Sequence, residues 1–152
     1  MSTDSNIEGW DERLPTRQLP PHGQALGIEY VKVEDGCLFL KVPYAEHLVG
    51  DPDTGIIHGG VITAAMDNAS GWCTRLNSDF VEGQSMATLD LRIDYMKPAT
   101  PHKDLMVRAE CYKMTRNIAF VRATAFQEDL LDPVATSVAS FMMGTPSERK
   151  PA

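Results

Sequence analysis

The sequence predicts an α+β domain in which an antiparallel sheet of about six strands wraps around one long central helix. Three observations carry this. A run from about residue 59 to residue 76 contains no proline and, after Gly59 and Gly60, no glycine before Gly71, which is the length of a long helix. Two β-rich stretches precede it and about four follow it with no second helical pattern between them, an order that favours an antiparallel sheet over alternating βαβ units. The chain length of 152 residues suits one domain with a substantial hydrophobic core.

Residues 1–25 are polar and contain Pro15, Pro20 and Pro21, so they form an arm ahead of a domain over 26–144, and residues 145–152 form a polar tail. Stretches 28–33 and 37–42 flank Glu34-Asp35-Gly36, and Asp-Gly between two β-rich runs predicts a hairpin. Residues 43–57 form an irregular lead into the helix. Apolar residues fall on nearly every side of that helix, so it is expected to be largely buried. Residues 85–96 alternate, with Leu89, Leu91, Ile93 and Tyr95 on one face and Thr88, Asp90, Arg92 and Asp94 on the other. Pro98 and Pro101 end this strand. Strands over 105–114, 118–126 and 134–143 follow, the first two joined by the turn Thr115-Arg116-Asn117. No internal repeat is present. A sheet of this size leaves its edge strands open, which invites pairing between subunits.

The net charge of −7 argues against a general nucleic-acid or anionic-membrane binder, and a phosphorylated ligand would need a local basic cluster. No apolar run approaches the roughly 20 residues that span a bilayer. The first residues carry Asp4, Glu8, Asp11 and Glu12 rather than an apolar signal segment, so the expected location is cytoplasmic. Cys37, Cys73 and Cys111 are scattered and odd in number, as reduced core thiols are. His22, His47, His58 and His102 show no metal-ligand spacing, and neither a metal nor a cofactor is expected.

The chemistry concentrates in the helix. His58-Gly59-Gly60 opens it, and Asp67 follows nine positions after the histidine among Ala64, Ala65, Met66 and Ala69. An ionised carboxylate is a costly tenant of a buried helix. The free N–H groups of a first helical turn suit a developing oxyanion. Neither half is specific alone; together they point to acyl transfer.

These residues resemble the hotdog-fold thioesterase superfamily, and within it the phenylacetate-pathway (PaaI-like) branch, over roughly residues 28–143. The resemblance rests on Gly55-x-x-His58-Gly59-Gly60, on Asp67 at the branch's usual distance, and on Thr88-x-Asp90-Leu91-x-Ile93-Asp94-Tyr95-x-x-Pro98-Ala99. It implies an acyl-CoA thioesterase, releasing a free acid and coenzyme A at a dimer interface, with many members pairing dimers into tetramers. By the family pattern the Gly60 N–H polarises the thioester carbonyl and His58 orients that end of the site. Asp67 serves as general base or nucleophile on a substrate bound mainly against the neighbouring subunit, and Thr88 positions water. Pro52 stands where many members of the branch carry an asparagine, which leaves Asp51 or Asp53 to take that polar role.

Each residue also has a plainer reading. Asp67 is otherwise a solvent-facing helix acid, His58 a helix-start histidine bonded to a carbonyl, Gly59 and Gly60 turn glycines, and Thr88 an ordinary strand residue. Gly59, Asn68 and Arg116 are candidates for holding substrate, Asn68 equally for a packing hydrogen bond. Arg116 is the candidate for a coenzyme A phosphate, with Lys97 and Lys103 similar. Met66, Trp72, Phe80, Met86 and Met96 either line an acyl pocket or belong to the core. The alternatives to a thioesterase are a hotdog dehydratase or hydratase, for which no second motif is present, and a non-catalytic acyl-binding or oligomeric module, which needs no acid at position 67.

Overall fold

In the computed structural model residues 19–144 are described; the expected arm over 1–18 and the tail over 145–152 lie outside them. The described end of the arm is not loose. Pro21–Ala25 forms a single helical turn, α1, with proline at its first position and Gly23 buried. Strands β1 (Glu29–Glu34) and β2 (Cys37–Val42) form the predicted hairpin, closing on Asp35 and Gly36 with φ of 50° and 72°. Positive φ at both central residues defines the type I′ turn that matches strand twist, which is why Asp-Gly sits there.

The lead-in to the helix has more structure than its composition suggests. A 3-10 turn over Glu46–Leu48 is followed by β3 (Val49–Asp51) and β4 (Ile56–Ile57), which pair with each other. The helix α2 (Gly59–Cys73) then runs into a 3-10 turn over Thr74–Leu76. Four strands complete the chain: β5 (Met86–Tyr95), β6 (Leu105–Met114), β7 (Ile118–Phe126) and β8 (Ala135–Met143).

The six long strands make one antiparallel sheet in the order β1-β2-β6-β7-β8-β5. Its concave face carries Leu38, Leu40, Val42, Leu105, Val107, Ala109, Val121 and Ala139, all buried against α2. Facing them on α2 are Val61, Ile62, Ala65, Met66, Ala69 and Cys73, a stripe repeating every three to four residues. Alanines and cysteine in that stripe let the helix axis approach the sheet closely. The helix is therefore buried along one stripe and not all round. Its other side, with Thr63, Ala64, Asp67, Asn68, Gly71 and Trp72, is only half-buried, because one sheet curls around one side of a helix.

Strand β5 departs from simple alternation. Thr88 pairs with Phe141 and Asp90 with Ser140, so Leu89 is an extra residue in a β-bulge. The bulge shifts the phase by one. Thr88 joins Leu91, Ile93 and Tyr95 on the concave face, opposite the buried Phe141, Ala139, Ser137 and Ala135, while Leu89 is turned out at 50% exposure. The strand is an edge of the sheet, and it leaves Leu89, Tyr95 and the adjoining Met96 exposed.

Candidate active site

His58 precedes α2 in extended conformation (φ −61°, ψ 137°) and caps it: its Nδ1 accepts the Gly60 N–H at 2.8 Å. A ring accepting at Nδ1 carries its proton on Nε2. The His58 carbonyl takes the Val61 N–H at 2.9 Å. Of the first-turn donors this leaves the Gly59 N–H, which has no partner among the described residues and stands at the positive end of the helix. The Gly60 N–H, which the resemblance assigns to a thioester carbonyl, donates to the His58 ring in this structure. That donor is spent on the cap, and Gly59 holds the open one.

The loop before His58 is pinned from two sides. The His58 N–H donates to the Leu48 carbonyl at 2.9 Å. Gly55 adopts φ +74°, and a Cβ there would lie 2.5 Å from Cε1 of His102, whose Nδ1 is 3.0 Å from the Tyr44 hydroxyl. Only glycine meets both demands. Asp51 does not take over a polar role in the site. Its Oδ1 accepts the Asp53 N–H at 3.0 Å and its carbonyl accepts the N–H groups of Thr54 and Gly55, so its polar atoms hold the turn. Asp53 is exposed and lines no described cavity.

Two turns along α2, Asp67 is half-buried, less enclosed than the alanines around it imply in sequence. Its Oδ1 accepts the Thr88 hydroxyl at 3.1 Å. The bulge makes this possible, since unbroken alternation would turn Thr88 away from the helix. Both residues line a cavity of about 350 Å³ together with Asn68, Trp72, Arg75 and Met86. Asn68 also donates from Nδ2 to the Ala64 carbonyl one helical turn back, a long contact at 3.4 Å.

A second cavity, of about 380 Å³, opens at the helix start between Gly59, Ile62, Tyr95 and Met96. Tyr95 donates to the Gly59 carbonyl at 2.9 Å and shares a hydrogen bond with the Thr63 hydroxyl. It ties β5 to the first turn of α2, a role invisible in a residue that fits the alternating apolar pattern. Arg75 was equally hidden, although its place eight residues after Asp67, with Gly71 between, puts all three on one helix face.

Other candidates are placed elsewhere. Arg116 is exposed in the β6–β7 turn and does not line either cavity. Lys97 pairs with Asp132, and Lys103 with Glu128 at 2.6 Å, so both cations have counter-ions. Met66 is fully buried in the core, Trp72 and Met86 line the Asp67 cavity, Met96 lines the second one, and Phe80 lies against Arg75.

A six-stranded antiparallel sheet curled on one long helix is the hotdog arrangement. The family model for the thioesterase superfamily matches residues 54–134, and the chain belongs to that superfamily. Among its relatives, the medium/long-chain acyl-CoA thioesterase YigI of Salmonella typhimurium is 29% identical over 135 residues, covering 82% of this chain and 86% of its own. The crystal structure of a Pseudomonas aeruginosa protein is similar at 43% identity with a TM-score of 0.71, covering 80% of this chain and 88% of that one. A mutant structure of the phenylacetic acid degradation protein PaaI from Thermus thermophilus shares the fold, with a TM-score of 0.67 at 21% identity over 81% and 98% of the two chains. Among the described residues no helix is long and apolar enough to cross a membrane.

Proposed function

We propose that this protein hydrolyses acyl-CoA thioesters to a free acid and coenzyme A, at sites that two copies of the chain build between them. The observation that carries the reading is the Asp67–Thr88 pair in a cavity large enough for an acyl group. The Thr88 hydroxyl holds one oxygen of the carboxylate in place. The other oxygen is available to take a proton from water attacking the thioester carbonyl. The carbonyl oxygen, becoming an oxyanion, is met by the Gly59 N–H and the positive end of the helix. As the tetrahedral intermediate collapses, the C–S bond breaks and the proton held by Asp67 passes to the departing thiolate.

Geometry argues for two copies. Gly59 and Asp67 are eight residues apart on one helix, about 12 Å at 1.5 Å per residue. One carbonyl group cannot be within hydrogen-bond reach of both ends of that span. A second copy related by a two-fold axis brings its Asp67 to the first copy's Gly59. The edge strand β5, with Leu89, Tyr95 and Met96 exposed, is the surface suited to that pairing, and pairing of dimers into tetramers extends the same reading. The name of the YigI relative supports a medium- or long-chain acyl group. The three free cysteines support a reducing compartment, the cytoplasm.

The test is complementation. Asp67→Asn and Gly59→Pro chains, each inactive as homodimers, are co-expressed with different tags and the hybrid is isolated. One of its two sites combines a native Gly59 with a native Asp67, so about half of native turnover returns if the two groups come from different chains. A hybrid as dead as its parents would refute the shared site. A native protein releasing no thiol from any acyl-CoA would refute the thioesterase reading itself.

A further inference from the structure

The cavity that holds Asp67 also holds a cation with no counter-ion among the described residues. Arg75 continues the Asp67–Gly71 row of the helix into its final 3-10 turn, again about 12 Å from Asp67 along the axis. Its guanidinium lies 5.0 Å from the Trp72 ring centre and 5.2 Å from that of Phe80. Two aromatic rings hold the charge in position and shield it from water. They offer nothing to the N–H groups in the guanidinium plane. The Arg75 Nε is buried without an acceptor, and among the described residues no carboxylate pairs with this side chain. Lys32, Lys41, Arg92, Lys97 and Lys103 each have a carboxylate within reach. Arg108 is also half-buried without a carboxylate partner among the described residues, but of the two only Arg75 has a buried side-chain donor left without an acceptor. A buried donor of a charged group normally has its acceptor, and the residue that carries this one lines the cavity.

We propose that Arg75 reads the far end of the acyl group, selecting thioesters whose acyl chain ends in a carboxylate: mono-thioesters of medium-length dicarboxylic acids. This rests on the thioesterase reading above. Guanidinium and carboxylate match in plane and can form two parallel hydrogen bonds, which suits a held arginine better than a lone lysine charge. Between Asp67 and Arg75 the wall is apolar, with Trp72, Met86 and Phe141, as methylene groups require. The Asp67 carboxylate at the other end repels a free carboxylate, so charge alone sets the direction in which such an acyl group lies. Coenzyme A phosphates are the other anions within the substrate, and they distinguish themselves by remaining when the acyl end is changed.

The experiment compares adipyl-CoA with hexanoyl-CoA, by thiol release, for the native protein, Arg75→Met and Arg75→Lys. The native protein is expected to favour adipyl-CoA by about tenfold or more in kcat/KM, as one charge-assisted pair provides. Most of that preference resides in KM. Arg75→Met should remove it by lowering kcat/KM for adipyl-CoA far more than for hexanoyl-CoA, and Arg75→Lys should restore part of it. Adipyl and hexanoyl thioesters of pantetheine, which lack the nucleotide phosphates, should keep the same preference. The proposal is overturned by a native preference for hexanoyl-CoA, by an equal fall for both substrates in Arg75→Met, or by an Arg75 effect that vanishes with pantetheine. Calorimetry with the matching non-hydrolysable thioether analogues reads the same preference without turnover. If nothing is hydrolysed but the carboxylated analogue binds more tightly through Arg75, the thioesterase reading fails and this one stands.

Discussion

Replacing Gly59 by proline deletes the one open donor at the start of α2 and little else. The position is the first of the helix, where proline is well tolerated because that N–H makes no intrahelical bond. The preceding residue must be extended, and His58 already is, at φ −61° and ψ 137°. A Cβ at position 59 meets Tyr95 atoms at 3.8 Å, ordinary contact. The unfolded chain loses conformational freedom as well, so stability should hold or rise by about 0.4–1 kcal/mol. Turnover should not hold. Removal of a single oxyanion donor costs about 100- to 1000-fold in kcat, about 2.7–4 kcal/mol.

The assay is thiol release at saturating acyl-CoA, alongside thermal unfolding and light scattering on the same preparation. Gly59→Ala keeps the N–H and serves as the control, with an expected loss below about tenfold. Gly60→Ala is a different perturbation: its Cβ would sit 2.9 Å from His58 Nδ1, so it displaces the capping ring and costs stability and turnover together. A Gly59→Pro protein that is folded, dimeric and within about threefold of native kcat, roughly 0.6 kcal/mol, refutes the assignment of this N–H to the oxyanion.

Four further outcomes follow from the same geometry. Asp67→Asn should lower kcat by about 100-fold or more while leaving the thermal midpoint unchanged or higher, and Thr88→Ala should lower it less, both read by thiol release against unfolding. His58→Ala should cost about 1 kcal/mol as the helix loses its cap, and His58→Asn, which can still cap, should recover most of that in denaturant unfolding. Gly55→Ala should destabilise by about 1–3 kcal/mol, with His102→Ala in the same chain relieving the clash but not the strain of φ +74°. Burial pushes the Cys111 thiol up to about 11 and Cys73 well above its usual value. The folded chain then keeps protons that the unfolded chain releases near pH 8.5, so this contribution to stability is whole below that pH and is lost as pH climbs toward 11, visible as a falling thermal midpoint.

The long elements of the fold were legible because they are set by local rules, whereas α1, β3 and β4 are too short to leave a periodic signal. Asp35-Gly36 enforces a two-residue turn, so strands β1 and β2 and their register follow. Gly59–Cys73 holds few strong helix formers beyond Ala64, Ala65, Met66 and Ala69, and it is a helix because it lacks proline, is capped by His58 and buries an apolar stripe against the sheet. Strands β7 and β8, and β6 up to the register shift after Cys111, have their inward residues at period two, and all three fall within a residue of where the sequence puts them. What failed was the reading of the faces of α2 and β5. An alanine-rich helix looks apolar all round, yet the sheet covers one stripe only. The amount of cover is a property of the curled sheet, and nothing within the helix sequence encodes it.

The candidate residues stand out in the sequence while their geometry does not, and the reason is the same at both ends of the candidate site. At the helix start, Gly59 and Gly60 are indistinguishable in sequence. Their N–H groups part company only because the His58 ring folds back on one of them, a choice made by a single side-chain rotation. On β5, Thr88 reads as an outward residue until one inserted residue, Leu89, rephases the strand and delivers its hydroxyl to Asp67. A bulge costs the strand one unpaired residue. Here that residue re-aims Thr88 at the helix and turns an apolar side chain outward on the exposed edge. Were Leu89 deleted, restored alternation would move Thr88 off the concave face and take the Asp67 hydrogen bond with it. The bulge therefore belongs to the chemistry as much as to the sheet, and periodicity alone, which averages over several residues, cannot register it.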